Sequence, residues 1–340
     1  MSSNIKLEET LLSVSTSPHV KNNDSIPKIM WNVNLALAPA AIFAAIWFGL
    51  PAIITMVVAI VAAVATEFLI QKFRKAKVTV GDGSAVVTGL LLAMCLPPAL
   101  PWYMTAFGAV LAILIAKMAM GGLGFNVFNP AHIGRAALMV SWPALMTSWA
   151  ANITSPDAVS SATVLNIAKQ QGYETVVNLF GDKTALYKAL FLGTRNGSIG
   201  ETCTVLLILG GIYLIYKGYI KWQVPVVMIG TVGILAWVFG GFFYGGPGTL
   251  FSGDPLFHMM AGGLMIGAFF MATDMVTIPI TIKGQIIFAF GCGVITTLIR
   301  FVGGYPEGVC YSILLMNCVT PLIDRVTKPR IYGTGRKSYV

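Results

Sequence analysis

The chain has 340 residues, of which 56% are apolar and only 10% charged, and its formal charge is +9. Soluble domains carry charge on about a quarter of their residues, and with a mean hydropathy of +0.79 a soluble core could not hide this much apolar surface. These values exclude a disordered chain, a collagen-like chain and a disulfide scaffold, and they leave a polytopic membrane protein.

Residues 1–29 are polar and rich in serine, with Lys6, Glu8, Glu9, Ser13, Ser15 and Ser17. They lack the compact apolar stretch of a signal peptide and read as a solvated tail. Apolar runs follow at 30–49, 51–70, 84–100, 102–120 and 130–150. A polar stretch, 151–200, interrupts them, and they resume at 201–217, 223–241, 256–273, 284–302 and 306–323. Hydrocarbon leaves no unpaired backbone polar group, so such runs are helices, and each crossing needs about 20 residues. The long uninterrupted runs exclude a β-barrel, whose strands alternate. The pattern predicts an all-α membrane protein of about ten transmembrane helices. A basic tail, 324–340, closes the chain with Arg325, Lys328, Arg330, Arg336 and Lys337.

The two halves share an order of elements. Gly81-Asp82 precedes the third run and Gly121-Gly122 the fifth; Gly253-Asp254 precedes the eighth and Gly303-Gly304 the tenth. Five spans per unit is an odd number, so two fused units have opposite topology. Such inverted repeats place sites near the midplane on broken helices. The expected organisation is therefore a tail at 1–29, a first five-helix repeat at 30–150, a loop at 151–200, a second repeat at 201–323 and the tail at 324–340. Most of the 22 Lys and Arg residues fall on the side of the termini, including Arg135 and the cluster Lys72, Arg74, Lys75 and Lys77. Arg300 is the cation assigned to the short loops of the other side, and Lys169, Lys183, Lys188 and Arg195 belong to the long loop. The positive-inside rule then puts both termini in the cytoplasm and the 151–200 loop outside, in the cytoplasmic (inner) membrane of a prokaryote. The excess of cations is thus membrane orientation and not nucleic-acid binding.

Candidate chemistry is sparse. The five cysteines, Cys95, Cys203, Cys292, Cys310 and Cys318, form no CxxC pair and read as small hydrophobes, with a cluster shared between subunits as the rival. Asn129 and Pro130 form an N-cap and first-turn pair that would start the fifth helix. His132 and Arg135, three apart, share a face of that helix. They read as contacts to a cofactor or partner, with interfacial snorkelling of the arginine as the alternative. Lys117 reads as a snorkelling lysine and Glu67 as a surface partner of the nearby basic cluster. Asp274 reads as a helix terminator, with an ion or cofactor contact as the rival.

The polar loop holds Asp157-Ala158-Val159-Ser160-Ser161-Ala162-Thr163-Val164-Leu165. As bare residues, Ser160, Ser161 or Thr163 could cap a helix over 164–170. The segment also resembles the acceptor motif for covalent FMN, D-x-x-[S/T]-G-A-T, matching at Asp157, Ser160, Ala162 and Thr163 and departing at Ser161. With one such loop between spans five and six, and with Phe128-Asn129-Pro130-Ala131 and Gly81-Asp82, nearly the whole chain resembles the RnfD/NqrB family. These are membrane subunits of Rnf-type ferredoxin:NAD⁺ oxidoreductases and of sodium-pumping NADH:quinone oxidoreductases, and the short tail favours the Rnf branch. The resemblance implies FMN esterified to Thr163 by a separate flavin transferase and a further, non-covalent riboflavin. It also implies partner subunits of a redox-driven Na⁺ or H⁺ pump. Among these residues no dinucleotide fingerprint follows a strand, so NAD would bind another subunit. The alternatives are a flavin-free channel or secondary transporter and a structural anchor, because a fold does not fix a function.

Overall fold

The computed structural model describes residues 24–149, 162–201, 203–244 and 249–329. The two tails, apart from residues 24–29 and 324–329, and the motif residues Asp157, Ser160 and Ser161 lie outside the described residues. The structure is all-helical among the described residues. In the first half come α1 (Ile26–Phe48), α2 (Leu50–Phe73), α3 (Ser84–Met94), α4 (Trp102–Leu111), α5 (Pro130–Ser141) and a single turn, α6 (Pro143–Met146). α4 runs on as a π-helical turn, Ala112–Met118. Three short helices follow: α7 (Val164–Gln171), α8 (Tyr173–Phe180) and α9 (Lys183–Leu192). The second half has α10 (Thr204–Tyr216), α11 (Gln223–Phe243), α12 (Pro255–Met260), α13 (Leu264–Ile266), α14 (Ile282–Phe301) and α15 (Val309–Val326). α13 is prolonged by a second π-helical turn, Gly267–Met271.

Every apolar run contains a helix, but among the described residues only five, α1, α2, α11, α14 and α15, are long and apolar enough to cross a membrane. Their outer faces expose large apolar side chains such as Ile46, Val61 and Ile234, as lipid-facing helices do. The other runs are shorter for visible reasons. The fifth run ends its helix at Ser141, because Pro143 pushes Trp142 out of helical dihedrals (φ −137°, ψ 61°). The eighth run, expected to be continuous over 256–273, breaks after Met260: Ala261 is extended and Gly262 takes φ 73°.

The two halves repeat one packing scheme. α2 packs on α3 and α4, and α4 on α5; α11 packs on α12 and α14, and α14 on α15. Both Gly-Asp aspartates accept a backbone hydrogen bond at the start of the short third helix of their unit. Asp82 Oδ1 accepts from the Ser84 N–H at 2.8 Å, and Asp254 Oδ1 accepts from the Phe257 N–H at 3.1 Å. The units meet where α10 lies on α1: a Cβ on Gly210 would sit 2.4 Å from the Ala36 carbonyl oxygen, so only glycine permits that approach. One continuous apolar core fills both units, and a second, smaller core lies under α7–α9.

Candidate functional site

The 163–200 segment is a docked cap and not a free loop. Val164, Leu165, Ala168, Val176, Leu186 and Leu190 form one apolar face, buried against Tyr244, Phe257 and Ala261. Polar latches fix it at three places. The Tyr173 and Tyr187 hydroxyls both donate to Asp254 Oδ2, the latter at 2.6 Å. Burial and that bond push the Tyr187 phenol up to about 12 and the Tyr173 phenol higher still. The Tyr173 N–H donates to the Tyr244 carbonyl at 2.9 Å. Lys169, in the last turn of α7, donates to the carbonyls of Ile299 at 3.4 Å, Tyr305 at 3.1 Å and Gly303, at and just beyond the end of α14. Burial holds this ammonium below the usual lysine range.

Thr163 is the N-cap of α7: its hydroxyl accepts from the Asn166 N–H at 3.2 Å. The residue is 2% exposed. The capping reading holds for Thr163, and the helix expected over 164–170 runs from Val164 to Gln171. Ala162, beside it, is half-buried.

Directly beneath α7 lies a buried charge network. Arg135 Nη2 donates to Glu307 Oε2 at 2.6 Å, and Glu307 Oε1 accepts from the Gly263 N–H at 2.9 Å. Arg300, fully buried, donates to the carbonyls of His258 at 2.6 Å and Ala261 at 2.9 Å. These are the free carbonyls at the break after α12. Arg195 donates to the Glu201 and Met260 carbonyls at 3.0 and 2.9 Å. Leu165 joins the cap to this network at Gly262. A Cβ there would meet Leu165 Cδ1 at 2.7 Å, Glu307 Oε1 at 3.0 Å and Arg300 Nη2 at 3.1 Å.

A second site opens at the other end of α5. A cleft of about 90 Å³ lies between the two units. Its walls are apolar, with Val33, Val87, Leu91, Phe269 and Phe270, and its polar groups are Lys117, Asn126, Asn129, Thr273 and Asp274. Asn129 caps α5 as the sequence predicts, accepting from the Ala131 N–H at 3.0 Å, and its amide donates to the Met271 carbonyl at 3.2 Å. Asn126 Oδ1 is buried without a partner among the described residues. Asp274 stands three residues after the turn that ends at Met271, accepts from the Val276 N–H at 3.3 Å and lines the cleft.

Several charge assignments need correction. Arg135 is 6% exposed and paired with Glu307, so it does not snorkel. Lys117 does not snorkel either, and Glu67 has no surface partner: each is 1% exposed, and they pair with each other at 2.6 Å. Arg300, 0% exposed, stands in the last turn of α14 and is not a loop cation, whereas Arg195 does lie in the connection between α9 and α10 but is buried, 4% exposed. Arg135 and Arg300 drop out of the orientation argument, whose remaining cations keep the same bias. The structure also separates the α5 candidates. Asn129 faces the cleft and Arg135 the network, while His132 is buried with neither ring nitrogen bonded among the described residues. Glu201, Glu307 and the two inner arginines escaped the sequence reading because they stand at the edges of apolar runs, where charge reads as loop. Of the cysteines, all but Cys318 are buried, and all five are free thiols.

A family model described as the NQR2, RnfD, RnfE family matches residues 13–333. The chain belongs to this family. Among its relatives, the D subunit of the proton-translocating ferredoxin:NAD⁺ oxidoreductase complex of Clostridium ljungdahlii is 62% identical, covering 97% of this chain and 99% of the relative. The D subunit of the Na⁺-translocating ferredoxin:NAD⁺ oxidoreductase complex of Acetobacterium woodii is 46% identical, over 97% and 98%. The D subunit of the ion-translocating oxidoreductase complex of Halorhodospira halophila is 37% identical, over 94% and 95%. The RnfD/NqrB resemblance read from the motifs therefore holds along almost the whole chain.

Proposed function

We propose that the chain is the D-type membrane subunit of a multisubunit, redox-driven ion pump of the prokaryotic inner membrane. It would pass electrons between ferredoxin and NAD⁺, whose binding sites lie on other subunits. On this reading Thr163 carries FMN as a phosphoester installed by a flavin transferase outside the membrane, with Asp157, Ser160, Ser161 and Ala162 as the motif the transferase grips. The observation that carries the reading is the position of Thr163. It stands at the N-cap of α7, where the helix N-terminus favours an attached phosphate, and α7 is latched to the bundle by Lys169. A bound flavin would supply electron transfer through its ring and leave the phosphate as a tether.

This chain's own residues do the positioning. Thr163 is buried, so its hydroxyl must leave the Asn166 N–H for the transferase to reach it. Losing a cap costs about 0.5–2 kcal/mol, small enough for the transferase to meet. The ester oxygen can then return to the same N–H. The resemblance also implies a second, non-covalent flavin such as riboflavin, but the cleft, at about 90 Å³, is smaller than a flavin ring needs and does not take one as it stands.

Intact-mass and peptide spectrometry after co-expression with the transferase tests the reading. Wild-type protein should gain one FMN less water on the peptide containing Thr163, and Thr163→Ala should lose the adduct and still insert. Retention of covalent flavin in Thr163→Ala would move the attachment to Ser160 or Ser161. No covalent flavin in the wild type would favour the channel or transporter reading.

A further inference from the structure

Cations crowd the chain where α2 ends. Lys72, Arg74, Lys75 and Lys77 fall within six residues, and none of them forms an ion pair among the described residues. Arg74 and Lys77 line a cavity of about 460 Å³ between the first turn of α1, the end of α2 and the turns at Asp82 and Gly121. The walls are held in place. Gln71, 7% exposed, donates to the Thr79 hydroxyl and accepts from the Thr79 N–H, both at 2.9 Å, and so closes the 72–79 segment into a fixed loop. Within that loop Lys75 takes φ 52°, which a lysine keeps only where its surroundings impose it. Arg74 Nη1 donates to the Met118 carbonyl at 2.8 Å, the one side-chain hydrogen bond the residue makes among the described residues. The guanidinium is thereby fixed at the wall with donors to spare. α1 starts at the same cavity, with Ile26 and Pro27 on its wall, and its N-terminal dipole adds positive potential. Asp82 is the one acid among the lining residues, and its Oδ1 is taken by the Ser84 N–H and hydroxyl.

We propose that this cavity binds the headgroup of an anionic phospholipid. Its size falls in the range of small-molecule sites. The phosphate diester takes the charge-assisted donors of Arg74 and Lys77, and Asp82 is left to accept from a headgroup hydroxyl, as phosphatidylglycerol carries. Four cations against one carboxylate leave a positive surplus. A zwitterionic headgroup would bring its own cation against that surplus, and an anionic one does not. The apolar surroundings favour a lipid over a soluble anion. α1 and α2 are both long and apolar enough to cross the membrane, so the start of one and the end of the other lie at headgroup level. Ile26, Phe73 and Val78 are exposed beside the cavity, Phe73 to 87%, and offer acyl chains an apolar surface that free phosphate would leave bare. A basic cluster of this size at the end of a membrane span is the sequence feature that draws anionic lipid.

The test is independent of the flavin reading. Native mass spectrometry of the full-length chain in detergent micelles counts bound lipids as phosphatidylglycerol or phosphatidylcholine is titrated in. The wild type should hold phosphatidylglycerol more tightly than phosphatidylcholine, and added salt should weaken the former. Each basic residue at a membrane surface tightens anionic-lipid binding about five-fold. Arg74→Gln with Lys77→Gln should therefore weaken phosphatidylglycerol binding about 30-fold, and Lys77→Gln alone about five-fold. The single variant leaves the Arg74–Met118 bond intact, so it stands if the double variant fails to fold. Lys217→Gln with Lys221→Gln, two cations in the connection between α10 and α11, should leave the affinity unchanged. Unchanged affinity in the Arg74 and Lys77 variants overturns the proposal, as does an equal loss in the Lys217 and Lys221 control or equal binding of the two lipids. Displacement of phosphatidylglycerol by inorganic phosphate would make this a site for a soluble anion and overturn the lipid assignment.

Discussion

The Lys117–Glu67 pair offers the clearest energetic test of how the interior is built. Lys117 Nζ stands 2.6 Å from Glu67 Oε2 and 2.6 Å from Ser84 Oγ, while Glu67 Oε1 accepts from the Gln71 amide at 3.1 Å. Both charged residues are 1% exposed. A solvated ion pair is worth about 0.2–1 kcal/mol. Removing one member of a buried pair costs about 3–5 kcal/mol, because the survivor is left as an uncompensated charge. Lys117→Met and Glu67→Leu should each fall in the larger range. The double variant should lie well above the worse single, since replacing both members by apolar groups is often neutral. The coupling should then be at least the cost of the milder single, about 3 kcal/mol or more. Reversible unfolding in mixed micelles, followed by tryptophan fluorescence, gives all four stabilities. Single variants that each cost less than about 1 kcal/mol, with no coupling, would refute a buried pair and restore the surface reading.

Two other outcomes follow from the same geometry. Asn129→Ala removes both the α5 cap and the link to the Met271 carbonyl, and in the same unfolding assay it should cost about 0.5–2 kcal/mol for the cap, rising with the lost link; no measurable loss would mean the cap is not made. In a background with the exposed Cys318 replaced, Ser155→Cys should react with an impermeant thiol reagent on intact cells and Ser338→Cys only after permeabilisation. The reverse pattern would overturn the orientation and with it access by an exported transferase.

Much of the fold is legible in the sequence, because two signals are strong. Long uncharged runs can only be helices in hydrocarbon, and the Gly-Asp and Gly-Gly marks recur in order. The cap at Asn129 is legible for the same local reason: the residues that make it are neighbours. What escapes is non-local. Nothing near Lys117 says that a glutamate fifty residues earlier faces it, and nothing near Arg135 points to Glu307. Periodicity also hides breaks where the apolar run continues through them. Gly262 and Gly263 sit in an unbroken hydrophobic stretch, and only the packing of Leu165, Glu307 and Arg300 around Gly262 explains the gap there. Thr163 shows both sides. Its motif is readable, whereas its burial depends on α8, α9 and Asp254, far along the chain.

The two units solve one problem with different chemistry. A third span too short to cross leaves helix ends, with unpaired N–H or C=O groups, inside the bundle. In each unit a buried cation at the end of the fourth span reaches across to that short helix. In the first unit Lys117 meets Ser84, the first residue of α3, and its charge is balanced by Glu67. In the second, Arg300 meets the His258 and Ala261 carbonyls at the end of α12. The choice of cation follows from what must be satisfied. A point charge with three donors suits one carboxylate and one hydroxyl, whereas two separate carbonyls need the fixed fork of a guanidinium. Opposite topology of the units would put these two pins near opposite membrane faces. One lines the cleft beside Asn126 and Asn129, and the other lies beneath α7 and Thr163. The two candidate sites therefore stand where a short helix has been fixed by a buried cation. In both, the charge that completes the fold is also a charge that a bound group would feel.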